Sequence, residues 1–240
     1  MIWIIYAFAD VLEHVQNPYY NLNMFKLTRS EPRATKDLIY QTALGLFREK
    51  GLESTTMREI AKTAKVALGS AYHYFPSKEA IVAEYYQEIQ RTHREKVLGG
   101  LTKTKNLRER LALAFHTHLE LIQQDRLVLG GVLKFVGEPD HPLSVLGKGT
   151  AEIQSQSLET YRLVLEGHLP KDLMELAPQF LWTLHMGFIL YFLYDDSLNQ
   201  TKTKKLIDDT LELLVQFFAL NANPMLQPFA KPIRERIKTI

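Results

Sequence analysis

The chain has 240 residues, 46% of them hydrophobic, and no cysteine. That is ample apolar material for one large or two small domains, and it excludes disulfides, a thiol nucleophile and cysteine-based metal sites, as suits a reducing cytoplasm. The net charge of +2 is too small to advertise a polyanionic partner, but it is unevenly spread: residues 24–78 carry ten Lys/Arg against five Asp/Glu, while residues 1–23 are net −2 and residues 79–240 net −1. The basic excess therefore sits in one segment, which fits a nucleic-acid-binding face and fits an ordinary solvated surface equally well.

In chain order, Met1 to Leu12 is apolar but has no basic leader or small-residue cleavage site, and it is too short to span a bilayer as a helix. Residues 1–32 read as an N-terminal extension, either an upstream start chosen over Met24 or a floppy tail, or else an added helix that packs on the body or on the partner subunit. Arg33 to Lys50 is predicted helical, with Ile39, Ala43, Leu46 and Phe47 forming one buried stripe and Gly51 following as the residue just past the helix end. Thr56 to Ala64 is a second, short helix. Thr56 is its N-cap, and Glu59 stands at the spacing of a capping box. Val66 lies in a turn, and Leu68 to Phe75 is a third helix of about two turns, ended by Pro76 because the residue before a proline is pushed out of helical geometry. Ser77 then caps a long helix from Lys78 to about Leu98, with Ile81, Val82, Tyr85, Tyr86 and Ile89 on its buried side and Gly99-Gly100 as its end.

The remainder reads as all helical. Leu107 to Gln123 buries Leu111, Ala114, Phe115, His118, Leu119 and Ile122; Leu127 to Val136 is short and carries Gly130-Gly131. Leu143 to Gly167 reads as one long amphipathic helix. Asp172 to Asp196 follows, started or kinked by Pro178, and its centre from Phe180 to Tyr194 is apolar almost all round, the pattern of a helix buried on every side. Thr201 to Leu220 is the last long helix, and residues 223–240, with three prolines and a basic end, read as a tail.

Two helices joined by a tight turn, the second short, is the arrangement of a DNA-binding helix-turn-helix. Each exposed residue of Thr56 to Lys78 has a physical task in that reading. Gly69 and Ser70 let the backbone approach a groove, Tyr72, His73 and Tyr74 present ring edges and polar tips, and Arg58 reaches phosphate or a guanine edge. Lys78 adds charge at a helix N-terminus that already attracts phosphate. The competing reading for Tyr72 and Phe75 is packing inside the three-helix unit.

Over Arg33 to Tyr85 the residues Leu46-Phe47, Gly51, Thr55-Thr56, Ile60-Ala61, Ala64, Val66, Gly69, Tyr72, Tyr74-Phe75 and Ser77-Lys78-Glu79 closely resemble the N-terminal signature of the TetR family of transcriptional regulators. Two positions depart from it. Lys65 stands where a turn glycine is usual, and must adopt a conformation that glycine adopts more cheaply. Ala67 stands where serine often caps the recognition helix, which removes about 1 kcal/mol of capping. The extension before Met24 is also longer than such regulators usually have.

The resemblance implies an all-α fold: an N-terminal three-helix helix-turn-helix DNA-binding domain (residues 33–93, motif 56–75) and a larger C-terminal ligand-binding and dimerisation domain (94–222). It implies DNA contacts at Thr56, Arg58, Leu68, Ser70, Tyr72, Tyr74 and Lys78, a homodimer formed by the last two long helices, a near-palindromic double-stranded operator, repression in the cytoplasm, and release by a small molecule. An apolar inducer pocket is expected from Phe115, His118, Tyr161, Trp182, His185 and Met186, with Gly130-Gly131 loosening the helix that closes over it; each of these residues is also a plausible core residue. A charged inducer is disfavoured because these faces hold no Lys or Arg.

No catalytic, cofactor or metal site is expected. There is no phosphate-cradling glycine loop and no Gly-x-Ser-x-Gly elbow, His116 and His118 point to different helix sides, and Asp195-Asp196 reads as a polar helix end. Two rivals stay open: the same fold binding DNA without an inducer, which a solid body would favour, and an enzyme on a helical bundle, which an acid or metal constellation would favour.

Overall fold

The computed structural model of the protein describes residues 32–222, so the readings of residues 1–31 as an extension and 223–240 as a tail lie outside the described residues. Among the described residues all regular structure is helical: α1 (Pro32–Lys50), α2 (Met57–Thr63), α3 (Leu68–Tyr74), α4 (Lys78–Leu101), α5 (Leu107–Ile122), α6 (Arg126–Leu133), α7 (Ala151–Leu165), α8 (Lys171–Met174), α9 (Ala177–Tyr194) and α10 (Thr201–Ala222). No helix among them is long and apolar enough to cross a membrane.

The local signals work at the start of the chain. Thr56 Oγ1 accepts from the Glu59 backbone N–H at 3.2 Å and Ser77 Oγ accepts from that of Ala80 at 3.3 Å, each satisfying an otherwise orphaned donor. The second half of the expected capping box is absent, because the Glu59 carboxylate turns away and pairs with Lys50 of α1. Gly51 sits at φ 86°, the left-handed geometry of a residue past a helix end. Lys65 adopts φ 55° in the turn, the strained conformation its glycine-like position demands. Ala67 precedes α3 with no side-chain cap, as expected.

Four expectations for the later chain need correction. Gly99-Gly100 does not end α4, which runs to Leu101. A side chain on Gly100 would run into Leu113 of α5, so this glycine serves helix packing and not termination. Residues 143–147 are not helical and Lys148–Thr150 forms only a 3-10 turn: Leu143 and Ser144 are buried in a compact loop held by Thr150 Oγ1 donating to Ser144 O at 2.7 Å, and the α-helix begins at Ala151. The Asp172–Asp196 span divides into α8 and α9, with Pro178 in the first turn of α9, where its missing N–H costs nothing. Finally, Phe180 to Tyr194 is not enclosed on all sides, since Phe180, Leu190, Tyr191 and Tyr194 are 41–77% exposed.

Two apolar cores result. The first joins α1 to α4 through Ile39, Phe47, Ile60, Ala71, Phe75, Val82 and Tyr85, and it also takes in Val128 and Val132 of α6 and Leu143. The second joins the end of α4 to α5, α7, α9 and α10 through Val97, Leu111, Phe115, Val164, Leu181, Phe192 and Leu211. Helix α4 belongs to both cores, and α6 packs its buried side on the first.

Candidate nucleic-acid interface and body cavity

The helix-turn-helix unit is pinned from inside by Ile60, Ala61, Ala64, Ala71 and Phe75, all 5% exposed or less. Phe75 stacks against Tyr40 of α1 with centroids 6.4 Å apart, under the Lys36 ammonium at 5.4 Å. Phe75 is thus a packing residue. Burying this side leaves Thr56, Arg58, Gly69, Tyr72 and His73 exposed on α2 and α3, with Tyr72 48% exposed. Ser70 is half-buried, and Leu68 and Tyr74 are half-buried against the first core, so part of each is committed to packing. Lys78 has a role that sequence reasoning did not anticipate. Its Nζ donates to Leu52 O at 2.6 Å and reaches Glu53 O at 3.5 Å, tying the start of α4 to the loop after α1. An ammonium has three donors, so this tie leaves capacity for an anion.

The junction between the two cores centres on a buried carboxylate that the sequence reading missed. Asp125, 0% exposed in the turn between α5 and α6, accepts from Arg48 Nε of α1 at 2.5 Å and from Tyr85 Oη of α4 at 2.8 Å. It occupies the N-cap position of α6 but makes no side-chain cap, because both oxygens are turned to these partners. The pairing raises the Arg48 pKa, chiefly through the hydrogen bond to Asp125, and burial followed by the Asp125 charge raises that of Tyr85. Only its place before an apolar run marks Asp125 in the sequence; partners 77 and 40 residues away cannot be read from spacing. Beside it, Gly131 of α6 faces Leu52, where an added Cβ would stand 3.1 Å from Leu52 Cβ. The glycine thus lets α6 approach Leu52 closely.

The body holds a partly open cavity of about 320 Å³ between α4, α5, α6, α7 and α9. Of the six residues expected to line it, His118, Trp182 and Met186 do. Phe115, Tyr161 and His185 do not; they pack behind the cavity at 1%, 1% and 6% exposure. The Tyr161 hydroxyl is hydrogen-bonded to His185 Nδ1, and the Phe115 ring lies 5.3 Å from that of His185. Burial, then the neighbouring His93, pushes His185 down to about 3, so it is a neutral core residue. Sequence reasoning also missed Tyr85, Gln90 and Ser157, which line the cavity. Tyr85 is counted in the first core, lines the cavity and bonds Asp125, and so touches all three regions.

Among the described residues no group of His, Asp or Glu is placed to hold a metal ion. Asp195 caps a turn, as its position suggested. Burial opposes its charge, but hydrogen bonds from the Ser197 and Thr203 hydroxyls and N–H groups outweigh that and hold its carboxyl below the usual range.

These features define a helical protein with an N-terminal helix-turn-helix unit joined to a body that contains a cavity. Residues 39–85 match the family model for bacterial regulatory proteins of the tetR family. The HTH-type transcriptional repressor KstR2 of Mycolicibacterium smegmatis is 41% identical over 62 residues, 26% of this chain and 30% of that one. Across the curated relatives it matches, the chain spans less than half of their length. Solved structures extend the likeness to the body. A TetR-family regulator of Syntrophomonas wolfei superposes with a TM-score of 0.61 at 16% identity, covering 77% of this chain and 96% of its own. The regulator FadR of Bacillus subtilis, solved in complex with stearoyl-CoA, gives 0.57 at 24%, covering 75% and 97%. Residues 39–85 are thus similar to the N-terminal domain of the tetR family, and the described residues share the fold of its solved regulators.

Proposed function

We propose that the protein is a DNA-binding transcription regulator, a repressor released from its operator by a small, mostly apolar inducer. The observation that carries the reading is the position of Tyr85, which lines the body cavity and donates to Asp125, the carboxylate that holds Arg48 of α1. A molecule that displaces the Tyr85 ring acts on the α1 anchor through two hydrogen bonds. Binding must favour one arrangement of reader and body over the other, since equal affinity for both shifts nothing. About 1–3 kcal/mol of coupling suffices for a useful switch.

In this reading Arg58, Gly69, Tyr72 and His73 meet the groove, with Thr56, Ser70 and Lys78 on phosphates and Leu68 and Tyr74 partly engaged. The division at residues 33–93 and 94–222 is a division of labour, with α6 crossing it. The protein works as a homodimer through α9 and α10. Phe180, Thr183, Gly187, Tyr191 and Tyr194 recur at helical spacing on the exposed side of α9, and Leu206 and Leu213 are exposed on α10. A two-fold pair demands a near-palindromic operator with half-sites about 34–36 Å apart or a multiple of that. The reading assigns no catalysis, and the lack of cysteine suits action in the cytoplasm.

The test is selection of bound duplexes from a random DNA pool, followed by gel shifts with the selected site. Enrichment of a near-palindrome is expected. Leu213→Glu is expected to give a helical monomer that no longer shifts this site. Failure to enrich any sequence, or a wild type that sediments as a monomer at micromolar concentration, overturns the reading.

A further inference from the structure

The residues lining the cavity include no Asp, Glu, Lys or Arg. Two polar groups of that wall are nevertheless buried without a hydrogen-bond partner, Gln90 Nε2 and His118 Nδ1. Gln90 is 5% exposed; its Oε1 accepts from Ser157 Oγ at 2.9 Å, and the same hydroxyl stands 3.0 Å from Ile153 O. A serine hydroxyl has one proton and serves only one of these acceptors. If that proton goes to Ile153, the Gln90 amide turns over, donates to Ser157 and leaves its oxygen bare. In either orientation one pole of the amide is unpaired, a state that costs a buried group on the order of 1–3 kcal/mol.

His118 presents the complementary half. Burial, then the neighbouring His185 and His93, holds its pKa well below the ordinary value, so the ring is neutral and one nitrogen accepts. Gln90 stands one helical turn before His93, whose ring meets that of His118 edge-on with centroids 5.2 Å apart. Both unpaired groups thus belong to residues that line the same cavity. Most of the rest of the wall, including Ile89, Ile122, Leu129, Trp182 and Met186, is apolar, and its other polar groups, on Tyr85, Tyr86, Thr150, Gln154 and Ser157, are uncharged.

We propose that the cavity selects an uncharged, largely apolar molecule bearing a hydroxyl group, which pairs with the Gln90 amide and with His118 Nδ1. With Nε2 of Gln90 free, the hydroxyl accepts from Gln90 and donates to His118 Nδ1; with Oε1 free, it donates to Gln90 and accepts from His118 in the tautomer that carries its proton on Nδ1. A carboxylate or an ammonium enters this wall with no counter-charge and pays its desolvation in full. The inference rests on the reading of the cavity as a ligand site and adds the class of ligand and the two residues that set it.

The test uses three probes of one shape, 4-pentylphenol, pentylbenzene and 4-pentylbenzoate, titrated calorimetrically into the full-length protein. The phenol is expected to bind about tenfold tighter than the hydrocarbon, and the benzoate weaker than either. In Gln90→Met and in His118→Leu the phenol preference is expected to shrink to about threefold or less, with hydrocarbon affinity kept or improved. Equal binding of phenol and hydrocarbon by the wild type, or tightest binding of the benzoate, overturns the assignment without any variant. A preference that survives in both folded variants overturns it too. If none of the three binds, the cavity is no ligand site and both readings fall. If the phenol is preferred but the selected DNA is not released, this assignment stands and only the inducer reading falls.

Discussion

The two cores of this molecule are built to different standards. The first closes around Ile39, Phe47, Ile60, Ala71 and Phe75, each 2% exposed or less, and presents its short helices from this closed side. The second is as apolar, but on its side towards the first about 320 Å³ stays unfilled, with unpaired polar groups on residues of that wall. Close-packed interiors transmit displacement instead of absorbing it, so in the proposed function a reader that keeps its shape and a body that responds call for these opposite constructions. Helix α6 and Asp125 lie where the two meet.

The largest expected effect breaks the closed core. Phe75→Ala is expected to cost about 3–5 kcal/mol in urea unfolding. Met186→Ala on the cavity wall is expected to cost about 1 kcal/mol, because Met186 already borders open space and fewer contacts are lost. Equal costs would erase the distinction between the two interiors.

Next comes the junction. Asp125→Ala leaves the Tyr85 hydroxyl buried without its acceptor, while Arg48, 37% exposed, can turn to water. The expected loss is about 2–3 kcal/mol, at the low end for a broken buried pair. It should be accompanied by weaker communication between cavity and DNA, read as a smaller effect of bound ligand on operator affinity. A variant with normal stability and full communication would remove Asp125 from the link.

Lys78→Ala tests whether one side chain serves both structure and DNA. Loss of its bonds to the Leu52 and Glu53 carbonyls is expected to cost about 1 kcal/mol. The slope of log affinity against log salt is expected to fall by about one unit or less. An unchanged slope with reduced stability would make Lys78 purely structural. The smallest effect belongs to Lys65→Gly, which relieves a left-handed residue at φ 55° and is expected to stabilise the reader by about 0.5–1 kcal/mol, partly offset by the freedom glycine adds to the unfolded chain. A destabilised variant would show that the Lys65 side chain makes contacts worth more than the strain.

What the sequence alone determined is what adjacent residues decide. The helix-turn-helix unit, the caps at Thr56 and Ser77, the glycine past α1, the strained Lys65 turn and the uncapped Ala67 all depend on neighbours within four positions. What only the tertiary structure decided depends on residues far apart in the chain. Periodicity could not separate the loop 143–150 from helix α7, because Leu143 is buried by the first core and not by its own helix. Composition placed aromatic residues in the body but could not tell Trp182 at the cavity from Phe115 and Tyr161 behind it. Nothing local marked Lys78 as bound to two carbonyls or Asp125 as the tie between α1 and α4, since a hydrogen bond across tens of residues leaves no trace in spacing. Local backbone chemistry is written residue by residue, whereas the interior of a helical body is shared among several helices, and its voids and buried charges exist only once those helices have packed.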